Sequence, residues 1–122
     1  MEILESAQSL SDSLDNINFL LSCATPIVVG QLPSLRVRAM KALIKFLSLL
    51  DERCRQALLS GSAENKTATR LIQRDVADLR LLVNSHVTRW SPDAIRADPP
   101  GYKIASNHLQ DKMRNILNYA IL

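Results

Sequence analysis

Four side chains in this sequence are suited to metal binding or to acid, base or nucleophilic chemistry near neutral pH: His86, His108, Cys23 and Cys54. A carboxylate-bridged two-metal centre between helices needs Glu-x-x-His on two helices and further inward carboxylates. Neither histidine has that partner, because position 83 is Val and position 105 is Ala. His108 and Asp111 stand one turn apart, on what reads as the outer face of a helix together with Lys112 and Asn115. That His108 lacks the His-x-x-Lys-Gly pattern of phosphotransfer bundles. His86 falls on one line with Val83 and Trp90, which makes it a buried polar residue. It is expected to be neutral and to need a partner such as Asn84, Asn107 or a backbone carbonyl. Burial disfavours its charged form, which makes the position a candidate for pH sensitivity. The two cysteines are far apart and form no C-x-x-C, which is expected of reduced thiols in a cytoplasmic protein.

No Gly-x-Ser-x-Gly, no Gly-rich phosphate loop and no inward carboxylate pair is present, so no enzymatic activity is expected. The formal charge of +3 is too small to nominate a nucleic acid or a membrane by itself. A stripe of Arg36, Arg38, Lys41, Lys45 and Arg55 nevertheless offers a basic face, interrupted by Glu52. The acidic N-terminal stretch, with Glu2, Glu5, Asp12 and Asp15 before the first cation at Arg36, is the reverse of an export signal. Residues 16–35 carry no charge, but Asn, Pro and Gly break the run too often for a membrane span. It reads as a helix end followed by a buried loop.

These groups must be positioned by helices. Hydrophobic residues make up 47% of the chain, aromatics only 4%, and glycine occurs 3 times, a balance suited to one all-α domain over residues 1–122. Ile3, Ala7, Leu10, Leu14, Ile17 and Leu21 recur every three or four residues and predict a first helix ended by Ala24-Thr25-Pro26. A second is predicted from an N-cap at Ser34, with Met40, Leu43, Leu47, Leu50, Cys54 and Ala57 on one strip. A second strip, Ala39, Ala42, Phe46 and Leu49, adjoins the first. Gly61 is expected to stop this helix in a left-handed conformation, and Ser62 to cap the next. The third helix runs through Ala68, Ile72, Val76, Leu79, Val83, His86 and Trp90, with Arg74 and Asp78 spaced to pair on another face. Ser91-Pro92-Asp93 opens a short helical connector, and Asp98-Pro99-Pro100-Gly101 reads as a stop before a last helix through Ala105, Leu109, Met113, Ile116, Leu117 and Ala120. Mostly short connections predict an antiparallel four-helix bundle, up-down-up-down, with the connector before the last helix.

The order of elements, the helix end "ALLSG" at 57–61 and the stretch "RWSPDAIRADPPGYKIA" at 89–105 resemble bacterial hemerythrin-like (HHE) helical domains over most of the chain. The resemblance implies a metal site built from His-x-x-x-Glu on the second helix, a histidine on the first and acids on the last. This chain departs at those places, with Phe46 and Leu50 on the second helix, Leu14 on the first, and Asn115 and Leu117 on the last. Hydrocarbon donates no lone pair. The expectation is therefore a degenerate site with no metal and no cofactor, its interior refilled and closed by apolar side chains.

On these grounds the leading expectation is a non-catalytic interaction or regulatory protein that binds a protein partner or a second copy of itself, and no membrane. The surface proposed for it combines Arg38, Lys41, Lys45 and Arg55 with the second apolar strip, Ala39, Ala42, Phe46 and Leu49. The alternatives are an iron- or oxygen-binding hemerythrin-like sensor using His86 and His108, and a nucleic-acid-binding protein using the basic face.

Overall fold

The computed structural model describes residues 2–22 and 27–121, with the backbone alone for residues 27–29 and 121. Over these residues the protein is all-α. Five α-helices follow one another: α1 (Ile3–Ser22), α2 (Ile27–Ser60), α3 (Ala63–Arg89), the short α4 (Pro92–Ala97) and α5 (Pro99–Leu117), and a 3-10 turn at Asn118–Ile121 closes the sequence of elements. Helix α1 packs on α2, α2 on α3 and α3 on α5, and α5 returns to α1. No helix among the described residues is long and apolar enough to cross a membrane.

One hydrophobic cluster draws on every helix and on the final turn, from Ile3, Leu10 and Leu14 to Ile116 and Ala120. Helix α2 contributes most because both of its strips turn inward. Leu43, Leu47, Leu50 and Cys54 are buried, and so are Ala39 and Phe46 from the strip assigned to a surface. Ala42 and Leu49 are half-buried against the same core. The correction has a simple cause: α2 packs against α1 and α3 at once, so it needs an apolar arc wide enough for two neighbours.

Four local expectations change. The second helix begins at Ile27, so Ser34 lies inside it as an exposed residue and Pro33 is helical. Leu32 is buried two turns before Ala39, so the inward line continues upstream, and its burial offsets the hydrogen bond that Pro33 cannot donate. Gly61 has no positive φ. Its smallness serves close approach instead, since a Cβ there would stand 2.6 Å from the Ala57 carbonyl oxygen. Asp98-Pro99-Pro100-Gly101 starts α5, with the Asp98 carboxylate accepting from the Gly101 N–H at 3.0 Å. The spaced Arg74 and Asp78 do not pair; among the described residues the ion pairs are Arg55–Glu52, Arg80–Asp51, Arg96–Asp93 and Arg114–Asp15.

The caps at Ser62 and Ser91 form as expected, each hydroxyl accepting a backbone N–H three residues on, from Asn65 and Ala94. On α3 Ala68 is exposed, and Thr69 is buried in its place with its hydroxyl on the Asn65 carbonyl at 2.7 Å. The proposed helix stop at Ala24-Thr25-Pro26 and Cys23 lie outside the described residues.

Candidate functional site

His86 of α3, the Trp90 that caps that helix, and two residues of α5 prepare a site where four helices meet. His86 and Trp90 are one turn apart at the end of α3, while Tyr102 and Ser106 are one turn apart at the start of α5. The hydrogen bond from the Trp90 N–H to the His86 carbonyl, 2.9 Å, holds the first pair where the chain leaves the helix. The Ser91 cap and Pro92 then turn it into α4, and the Asp98 cap turns it again, so that Tyr102 arrives beside both rings. The Tyr102 ring centroid lies 5.6 Å from that of Trp90, nearly edge-on, and 5.7 Å from that of His86. Such tilted pairs align the positive edge of one ring with the negative face of another.

Between α1, α2, α3 and α5 these residues border a cleft of about 490 Å³. Its walls are largely hydrocarbon, with Leu14 and Ile17 from α1, Met40 from α2, and Leu109 and Met113 from α5. The interior that the sequence suggested was refilled and closed is therefore filled only in part. Leu14, Phe46 and Leu50, which stand where the hemerythrin-like pattern would put metal ligands, are each at most 2% exposed. Asn115 is exposed and Leu117 half-buried. Among the described residues, no group of three or more His, Cys, Asp or Glu could hold a metal ion.

A polar seam crosses this apolar wall. Arg36, one turn before Met40, directs a guanidinium N–H at the Trp90 carbonyl, 2.8 Å away, and its Cζ stands 5.5 Å from the centre of the Tyr102 ring. Further along α5, the Gln110 side-chain amide donates to the Ser106 hydroxyl at 3.1 Å and to Asn18 of α1 at 2.9 Å. Tyr102, Ser106 and Gln110 follow one another every four residues and all are buried. Burial raises the Tyr102 hydroxyl above its usual pKa, against the opposing pull of Arg36 and Ser106.

His86 is half-buried where full burial was expected, and neither Asn84 nor Asn107 hydrogen-bonds it; its ring packs on Tyr102. Desolvation and then the nearby Arg36 charge lower its pKa from 6.5 to about 4. A folded-state pKa below the unfolded one means that the unfolded chain takes up the proton first as pH falls. Stability is then complete above about pH 6.5 and declines toward pH 4. Urea unfolding is expected to show a loss of about 1 kcal/mol between about pH 7 and about pH 5.5, a window in which most carboxylates stay ionised, and His86→Gln should remove it.

Of the other sequence candidates, Ala39 also lines the cleft, and those that follow lie apart from it. Arg38, Lys41 and Lys45 are exposed on the outer face of α2, while Arg55 spends its charge on Glu52, with its Nε 2.9 Å from the carboxylate. His108 is exposed, as expected, beside Asp75, Asp78 and Lys112 in a polar groove between α3 and α5. Cys54 is buried, and desolvation followed by the Asp51 charge raises its thiol pKa, the opposite of an activated nucleophile. Sequence reasoning assigned Arg36 to the basic face and passed over Tyr102, Ser106 and Gln110. The four-residue spacing of those three, flanking Ala105, Leu109 and Met113, was the signal available.

Fold and site together define an all-α protein with an apolar cleft between its helices. The chain matches no family model, no curated protein and no solved structure in the comparisons made with each.

Proposed function

We propose that this chain is a non-catalytic regulatory protein whose input is a small, mainly apolar molecule held in the cleft between α1, α2, α3 and α5. The observation that carries the reading is the cleft itself. Its volume of about 490 Å³ falls in the range of small-molecule sites, and a few convergent polar groups sit in an otherwise hydrocarbon lining, as such sites require. The four long helices are proposed to form an antiparallel up-down-up-down bundle, hemerythrin-like in outline and independent of metal or cofactor. Support comes from the ring of contacts from α1 through α2, α3 and α5 back to α1.

The chain's one tryptophan lines the cleft, so its fluorescence reports entry of a ligand directly. Titration with decanol is expected to change Trp90 emission saturably and to raise the thermal midpoint, because a ligand that binds only the folded state stabilises it. In Met40→Trp the larger side chain fills the cleft, and the thermal response to decanol should vanish while the helical circular dichroism persists. A wild-type protein that shows neither response removes this reading.

A second reading concerns the output. Val37 and Ile44 are 53% and 61% exposed on α2 and alternate with Arg38, Lys41 and Lys45. This mixed apolar and cationic strip suits an acidic, partly apolar protein surface. It takes the place of the strip through Ala39 and Phe46, which is occupied by the core. Binding to a random-sequence duplex at low salt, with a steep loss as salt rises, would favour nucleic acid over a protein at this strip.

A further inference from the structure

Among the charged side chains of the protein, Arg36 occupies an unusual position. The guanidinium groups of Arg55, Arg80, Arg96 and Arg114 each meet a carboxylate. Arg36 is half-buried and lines the cleft, and among the described residues it has no carboxylate partner. Its hydrogen bond goes to the neutral Trp90 carbonyl, and one guanidinium carries five N–H donors in a planar fork. The groups around it are the His86 imidazole from α3 and the Tyr102 phenol from α5, while α1 presents Leu14 and Ile17 and, across a small adjoining pocket, α4 presents Arg96, which is itself paired with Asp93. A single fixed positive charge therefore faces a cavity with hydrocarbon walls, where charge attraction is screened far less than in water.

Resting on the proposed cleft, we infer that its ligand is an apolar molecule carrying one carboxylate, with the carboxylate paired to Arg36 and the hydrocarbon body lying against Met40, Leu109 and Met113. One guanidinium balances one negative charge, and its fork matches the two carboxylate oxygens. A ligand with no acceptor would leave the remaining donors shielded from water and unpaired, which is costly, and a hydroxyl offers one neutral oxygen where a carboxylate offers two charged ones. The same pairing links binding to His86. Burial lowers the His86 pKa most and the Arg36 charge adds to it, so any ligand that fills the cleft adds to the first effect and only an anion offsets the second. The His86 pKa is expected to be higher with a carboxylate ligand than with an uncharged one of the same length.

Decanoate and decanol, which differ at the head group, test this in the full chain near neutral pH by calorimetry and by Trp90 fluorescence. Decanoate is expected to bind at least about 10-fold more tightly, as a charge-assisted hydrogen bond in a sheltered site implies. Arg36→Gln should abolish the preference by weakening decanoate at least about 10-fold, with its helical circular dichroism and a saturable Trp90 response to decanol showing that the cleft survives the substitution, and Arg36→Lys should keep part of the preference. NMR titration of the His86 ring should give a higher pKa with decanoate than with decanol. Equal binding of the two molecules, or a preference that persists in Arg36→Gln, overturns the carboxylate assignment and leaves the apolar cleft standing. Failure of both to bind overturns the assignment and the cleft reading together.

Discussion

Replacing Phe46 by Ala is expected to destabilise the protein by about 3–5 kcal/mol, the cost of deleting a large aromatic side chain from a packed interior. Phe46 is 0% exposed and belongs to the main core cluster, in the middle of a helix that touches two others. Truncation removes apolar burial and leaves a hole that neighbours anchored on α1 and α3 can close only in part. Since a domain of this size is stabilised by roughly 5–15 kcal/mol in total, the variant should unfold at much lower urea. Urea unfolding followed by circular dichroism measures the effect. A loss below about 1 kcal/mol would mean that Phe46 is solvated in solution and would restore it to a docking surface. Arg38, Lys41 and Lys45 provide the contrast: each is exposed on the same helix and forms no ion pair among the described residues.

Tyr102→Ala is expected to cost a similar 3–5 kcal/mol, and it should also change what the cleft does. The ring is 2% exposed and holds together three partners from three places in the chain, His86 on α3, Trp90 at the connector and Arg36 on α2. Losing it removes two ring contacts and the cation–π contact as well as the buried area. Tyr102→Phe separates the parts, because the ring packing remains and only the hydroxyl is lost, for an expected cost of about 1 kcal/mol. Thermal and urea unfolding of the pair give the stabilities, and the Trp90 emission of the folded fraction reports whether the indole has been released. Equal and small effects in both variants would show that the ring does not organise this end of the protein.

The comparison of these two residues shows how far the sequence could be read. Helix periodicity located Leu10, Leu14, Leu43, Val76, Leu79, Leu109 and Met113 correctly in the interior, because each lies on an apolar line whose period matches the α-helix. The same periodicity could not say how many neighbours α2 has. Phe46 was therefore assigned to a surplus strip, when the extra width of the arc serves a second packing partner. Local turn chemistry was ambiguous at Asp98-Pro99-Pro100-Gly101, where an aspartate before prolines suits the start of a helix as well as the end of one. Arg36 was legible as a cation and illegible as a cleft residue, since its direction depends on α2 beginning upstream at Ile27 and on the Trp90 carbonyl from far along the chain. Tyr102, Ser106 and Gln110 are polar or amphipathic types, and a search for apolar faces discounts them even where spacing places them inside.

The order in which the helices meet bears on how the chain finds this arrangement. Helix α1 packs on α2 and α2 on α3, so much of the tertiary contact joins elements adjacent in sequence and closes short loops at small entropic cost. The seam between α5 and α1 instead joins opposite ends of the chain, with Gln110 bonded to Asn18 and Arg114 to Asp15. Local contacts of the first kind favour fast folding, whereas closing the α1–α5 seam loops out most of the chain and carries the larger entropic cost. Because the cleft takes walls from α1, α2, α3 and α5, it is enclosed only when that long-range seam is closed.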